Sequence, residues 1–79
     1  MTVKMYTTKW CGDCWRAKRF LSEHDVDFEE INIAHDPEAV RLVMEHNEGK
    51  RRVPTFEING AYYGNPRITE LAKLVGVEL

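Results

Sequence analysis

The sequence predicts an α/β fold, a mixed four-stranded sheet with three helices in the order β-α-β-α-β-β-α. Three observations predict it. Short runs rich in strand-forming residues recur along the chain, beginning with Val3-Lys4-Met5-Tyr6-Thr7. Between them lie stretches whose apolar residues return at helical spacing, such as Ile68, Leu71, Ala72 and Val75. Asn59-Gly60, the strongest short hairpin signal, separates the last two strand runs. The opening strand–helix–strand unit requires a parallel pair with a right-handed crossover, whereas a tight hairpin must be antiparallel.

The elements follow in order. Val3–Thr7 is the first strand, and Thr8, Lys9 and Trp10 form a short loop. A helix is expected from Cys11 or Gly12 to about His24, with Cys14, Ala17, Phe20 and Leu21 on one face. Asp27–Ile33 returns to strand character. Asp36 caps the second helix, with Pro37 in its first turn and an apolar stripe of Val40, Val43 and Met44; it stops near Asn47 or Gly49. Glu48 to Arg52 is a charged loop. Pro54 stands where a residue without an N–H is tolerated, at the start of the third strand, Thr55–Ile58. Ala61-Tyr62-Tyr63 is the fourth. Asn65 is expected to cap the last helix, with Pro66 at its first position and Gly76 at its end.

Composition narrows the function. Seventy-nine residues suit one domain, 1–79, and 43% apolar with 30% charged residues is an ordinary globular mix. No apolar run reaches the ~18–20 residues of a membrane helix, and the N-terminus enters a strand pattern with no signal peptide, so a cytoplasmic monomer without membrane association is expected. Eleven basic against 13 acidic residues, a net charge of −2, argue against a nucleic-acid partner. Two cysteines three positions apart close too small a loop to serve as a staple, so the pair points to chemistry. A zinc site needs four ligands; His24, His35 and His46 are scattered, and no metal is expected.

Cys11-Gly12-Asp13-Cys14 carries that chemistry. A thiolate, not a thiol, attacks disulfides, and a free cysteine with pKa ~8.5 is mostly protonated at neutral pH. The unpaired N–H groups and positive dipole end of a helix N-terminus favour the anion at Cys11. Cys14, one turn on, can reach back as the resolving thiol. Gly12 leaves the junction open to a substrate. Asp13 suits the first turn of a helix, yet its carboxylate opposes a neighbouring thiolate; helix-start charge and redox tuning both remain open. Two buried core thiols would be the structural alternative, but a C-x-x-C at the start of the first helix of a β-α-β unit favours redox chemistry.

Trp10-Cys11-Gly12-Asp13-Cys14, Val53-Pro54-Thr55 and Gly64-Asn65-Pro66, in that order and spacing, resemble the glutaredoxin family of the thioredoxin fold, over essentially the whole chain. Within it the chain looks most like mycoredoxins and other glutaredoxin-like bacterial redoxins. The resemblance implies that Cys11 is the nucleophile and Cys14 the resolving thiol. It also implies that Val53–Pro54 is cis and that Val53 pairs its backbone with the substrate. It implies no bound cofactor; the co-substrate would be a low-molecular-weight thiol, namely mycothiol, bacillithiol or glutathione. The partners would be disulfide-containing or S-thiolated proteins, with that thiol or thioredoxin reductase as reductant.

The chain departs from glutathione-using members at Gly64-Asn65-Pro66-Arg67, which lacks the acid that holds the glutamyl amine; glutathione is expected to serve poorly. Lys9 and Arg52 are expected beside Cys11 as carboxylate binders, Trp10 on the contact surface, and Trp15 on the rim. Two alternatives belong to the same resemblance. One is an electron donor to ribonucleotide reductase recycled by thioredoxin reductase, of which Tyr63-Gly64-Asn65-Pro66 is a loose echo. The other is an iron–sulfur-binding module, which Cys14 disfavours.

Overall fold

The computed structural model describes all 79 residues. Its elements run β1 (Val3–Thr7), α1 (Gly12–Glu23), β2 (Glu29–Asn32), α2 (Pro37–Glu45), β3 (Thr55–Ile58), β4 (Ala61–Gly64) and α3 (Ile68–Val75). The sheet order is β2-β1-β3-β4, with β1 parallel to β2 and the other two pairings antiparallel. This is the expected thioredoxin-like arrangement of three helices and a mixed sheet.

Two apolar clusters hold the layers together. The larger joins Val3, Met5, Phe56 and Ile58 of the sheet to Cys14, Ala17, Phe20 and Leu21 of α1 and to Leu71, Ala72 and Val75 of α3. The smaller joins Tyr6, Ile33, Ala39 and Val43. Met5, Leu21, Phe56 and Leu71 are fully enclosed, each contributing on the order of 1.5–3 kcal/mol relative to exposure. Alternation explains the division. Val3 and Met5 turn toward α1 and α3, and Tyr6 between two buried neighbours turns toward α2.

Several boundaries differ from the sequence expectation. β2 is Glu29–Asn32, shorter than Asp27–Ile33, because pairing with β1 begins only where Glu29 meets Lys4. α2 ends at Glu45 with His46 as its C-cap. Its inward residues are Ala39 and Val43, one turn apart; Met44 is half-buried beside a surface cavity with Pro37, Val40 and Arg41. Asn65 does not cap α3. It takes a left-handed conformation (φ 42°), and Arg67 is the N-cap, its backbone N–H donating to Glu70 Oε1 at 3.3 Å. Pro66 therefore precedes the helix instead of opening it. Gly76 ends α3 at φ 77°, as a left-handed C-cap favours.

The register fixes where the loops meet. Tyr6 lies opposite Thr55, and Thr55 opposite Gly64. The segment leaving β1, the segment entering β3 and the segment leaving β4 thus converge at one end of the sheet.

Candidate active site

Cys11 and Cys14 occupy that end, joined as a disulfide with their Cα atoms 5.2 Å apart. Cys11 is the N-cap of α1, in an extended conformation, and its Sγ accepts the Cys14 backbone N–H at 3.0 Å. A helix N-terminus thus presents an unpaired donor to this sulfur, the condition that favours a thiolate. Cys14 is 3% exposed and belongs to the core cluster; Cys11 is half-buried at the surface. The two sulfurs are therefore inequivalent, one open to a partner and one shielded.

Across from Cys11 stands Val53, whose carbonyl oxygen lies 3.8 Å from Sγ. The Val53–Pro54 peptide bond is cis. Pro54 is buried, and its carbonyl accepts the Asn65 backbone N–H at 2.7 Å, tying the segment before β3 to the segment after β4.

Two residues to which the sequence reading assigns no role in the site buttress this segment. Asn47, just beyond α2, donates through Nδ2 to Val43 O at 2.7 Å and to Thr55 Oγ1 at 3.1 Å. Thr55, fully buried, donates to Arg52 O at 2.6 Å. Asn47 Oδ1 sits so close to Gly64 that a Cβ there would collide with it and would come within 2.9 Å of Arg52 Cδ. Gly64 is thus required by the close approach of Asn47 and Arg52. A buried Thr at the start of a strand is a weak signal of such a network, whereas nothing local ties Asn47 to it.

The remaining expected residues distribute as follows. Gly12 is exposed, and a Cβ there would meet only Arg16, at 3.9 Å, so packing does not demand a glycine. The Asp13 carboxylate is paired with Arg16 and accepts Asn65 Nδ2 at 3.2 Å. Pro66 lines a shallow cavity of about 300 Å³ with Asp13, Arg16, Asn65 and Arg67. Trp10 is 90% exposed, with the Lys9 ammonium 5.6 Å from its ring centroid. Arg52 lies over Gly64 and lines a polar cavity of about 220 Å³ with His46, Lys50 and Glu48. No hydrogen bond joins Lys9 or Arg52 to Cys11, whose Sγ accepts the Cys14 N–H and lies near the Val53 carbonyl oxygen. Trp15 is exposed on the surface of α1 beside Arg19.

One further polar link fixes the base of the site. Glu30 on β2 accepts Lys18 Nζ from α1, at 2.9 Å, and Thr7 Oγ1 from the end of β1, at 3.0 Å. The Lys18 hydrogen bond holds the Glu30 carboxyl below its ordinary range, against a smaller opposing effect of burial. No helix is long and apolar enough to cross a membrane.

Comparison with known proteins agrees with this geometry. Residues 3–63 match the family model described as glutaredoxin. The chain is 39% identical over 72 residues to the glutaredoxin-like protein NrdH of Lactococcus lactis, covering 91% of this chain and 97% of that one. It is 33% identical over 70 residues to mycoredoxin 1 of Corynebacterium glutamicum, covering 87% and 86%. Among solved structures it resembles the glutaredoxin-like NrdH-redoxin of Escherichia coli, whose activity profile is described as thioredoxin-like. That likeness has a TM-score of 0.79 at 27% identity and covers 94% of this chain and 95% of that one.

Proposed function

Since this chain belongs to the glutaredoxin family, we propose that residues 1–79 act as one dithiol–disulfide oxidoreductase domain that reduces mixed disulfides of a low-molecular-weight thiol, or protein disulfides. The observation supporting this most strongly is the pairing of an accessible Cys11 at a helix N-terminus with a shielded Cys14 within disulfide reach.

In the first step the Cys11 thiolate attacks one sulfur of the substrate disulfide. The substrate S–S bond breaks, one thiolate leaves, and a mixed disulfide with Cys11 forms. In the second, the Cys14 thiolate attacks Cys11 Sγ. The second substrate thiolate leaves, and the Cys11–Cys14 disulfide remains. Two electrons have passed to the substrate, and a small thiol or thioredoxin reductase returns them. During the mixed-disulfide stage the Val53 backbone offers a strand-like partner to the bound chain, Trp10 an exposed aromatic face, and Lys9 and Arg52 cationic groups for its carboxylates. Gly12 keeps the approach to Cys11 open, and Gly64, Asn65 and Pro66 form the far wall. A cytoplasmic setting suits this chemistry, because thiol pools there keep such pairs reducible.

A second reading stays within the family. The likeness to two NrdH proteins, one by sequence and one by structure, favours an electron donor to ribonucleotide reductase recycled by thioredoxin reductase. One turnover assay separates the readings. The oxidised protein is supplied in turn with mycothiol, bacillithiol, glutathione, and NADPH with thioredoxin reductase. Reduction by a small thiol supports the first reading; reduction by the reductase alone, with onward transfer to ribonucleotide reductase, supports the second; reduction by neither overturns both.

A further inference from the structure

We propose that Asn65 is a positioning residue for the redox pair. Its side chain holds the Asp13 carboxylate and thereby limits the cost that this carboxylate imposes on a thiolate at Cys11. The proposal rests on Cys11 being the attacking thiol.

Asn65 joins the two halves of the site through two separate groups. Its backbone N–H holds the Pro54 carbonyl at 2.7 Å, and its Nδ2 donates to Asp13 Oδ2 at 3.2 Å. The other carboxylate oxygen, Oδ1, faces the Arg16 guanidinium. Each oxygen of Asp13 thus has its own partner, one from α1 and one from the segment after β4. Arg67 is the other charged group at this cavity.

Asp13 lies between the two cysteines in sequence, where an unpartnered carboxylate disfavours the thiolate. A surface ion pair with Arg16 alone holds it weakly. The amide of Asn65 supplies a second, directional hold from the opposite side of the active site. Asn65 has a left-handed backbone, φ 42°, which glycine adopts more easily than any residue with a Cβ. The side chain caps no helix, and its one hydrogen bond goes to Asp13.

The backbone geometry also supplies a clean variant. Asn65→Gly removes the amide yet suits the left-handed conformation and keeps the N–H that holds Pro54. The pH profile of iodoacetamide alkylation, with the labelled cysteine identified by peptide mapping, is measured for the reduced wild type, Asn65→Gly, Asp13→Asn and the double variant. Asn65→Gly is expected to raise the Cys11 pKa by about 0.3–0.5, slowing alkylation at pH 6 about two- to threefold. Asp13→Asn is expected to lower it, and Asn65→Gly is expected to have no further effect in the Asp13→Asn background. An unshifted or lowered Cys11 pKa in Asn65→Gly, or the same shift in both backgrounds, would overturn the proposal. First label on Cys14 would instead overturn the assignment of the nucleophile, and the proposal with it.

Discussion

Cys11 Sγ lies 3.8 Å from the carbonyl oxygen of Val53, a residue 42 positions away in sequence. That contact brings the N-terminus of α1 beside the segment that we propose pairs with a bound chain. Cys11 is half-buried at the surface, whereas Cys14 is buried in the core.

The first prediction separates the thiols. Cys14→Ser should retain activity on mixed disulfides of small thiols, which need only Cys11 and a second free thiol, and should lose reduction of protein disulfides. Loss of both activities in a folded variant would show that the roles are misassigned.

A second prediction concerns the buttress of the Val53 segment. Thr55→Val removes the hydroxyl that links Asn47 to the Arg52 carbonyl, so two part-buried hydrogen bonds are lost while Asn47 keeps its bond to Val43 O. Urea denaturation should show a loss of about 1–3 kcal/mol. Gly64→Ala should also destabilise, by about 1–3 kcal/mol, because its Cβ has no room beside Asn47 and Arg52. Wild-type stability in both variants would remove the buttress from the account.

The third follows from Glu30. Its carboxyl titrates below the ordinary range, held by Lys18 first and by Thr7 as well. A carboxyl depressed in the folded state contributes stability that is present above its unfolded pKa and lost as pH falls through the folded one. Glu30→Gln should therefore lose less stability than the wild type as pH falls from 5 toward 3. The effect is small, because the pair is partly exposed and screened. Parallel acid-denaturation curves for the two proteins would contradict this.

These outcomes bear on how much of the molecule its sequence discloses. Strand and helix order was legible because apolar periodicity is local, and Cys11 and Cys14 were legible because their spacing and helix-start position define the chemistry. Asn65 departs from its local sequence pattern. Asn-Pro ahead of an apolar stripe looks like a cap, but the preference for a cap lost to a tertiary hydrogen bond with Asp13. Asn47 was missed for a similar reason. Its partners are Thr55 and the backbone of Val43, and its oxygen packs on Gly64, all set by folding together segments that no local pattern connects.

The fourth prediction concerns the reductant. The segment Gly64-Asn65-Pro66-Arg67 offers no acid for the ammonium of a glutamyl end. A buried or half-buried ammonium without a partner costs on the order of 1–3 kcal/mol, roughly a 5- to 150-fold loss of preference. Glutathione should be a poor reductant beside a sugar-containing thiol or a thioredoxin reductase. If Lys9 and Arg52 hold the thiol's carboxylates as proposed, turnover with the preferred anionic thiol should fall as salt rises, because screening limits the reach of their charges to ~8 Å at physiological ionic strength. Saturable turnover with glutathione that outpaces the other reductants would contradict this.

The central claim is that Cys11 is the attacking thiol. The most direct measurement is limited alkylation of the fully reduced protein at pH 6, followed by mass spectrometry of the labelled peptides. The account predicts label on Cys11 well before Cys14, with an apparent Cys11 pKa below the free value of ~8.5. Equal labelling of the two cysteines would contradict it.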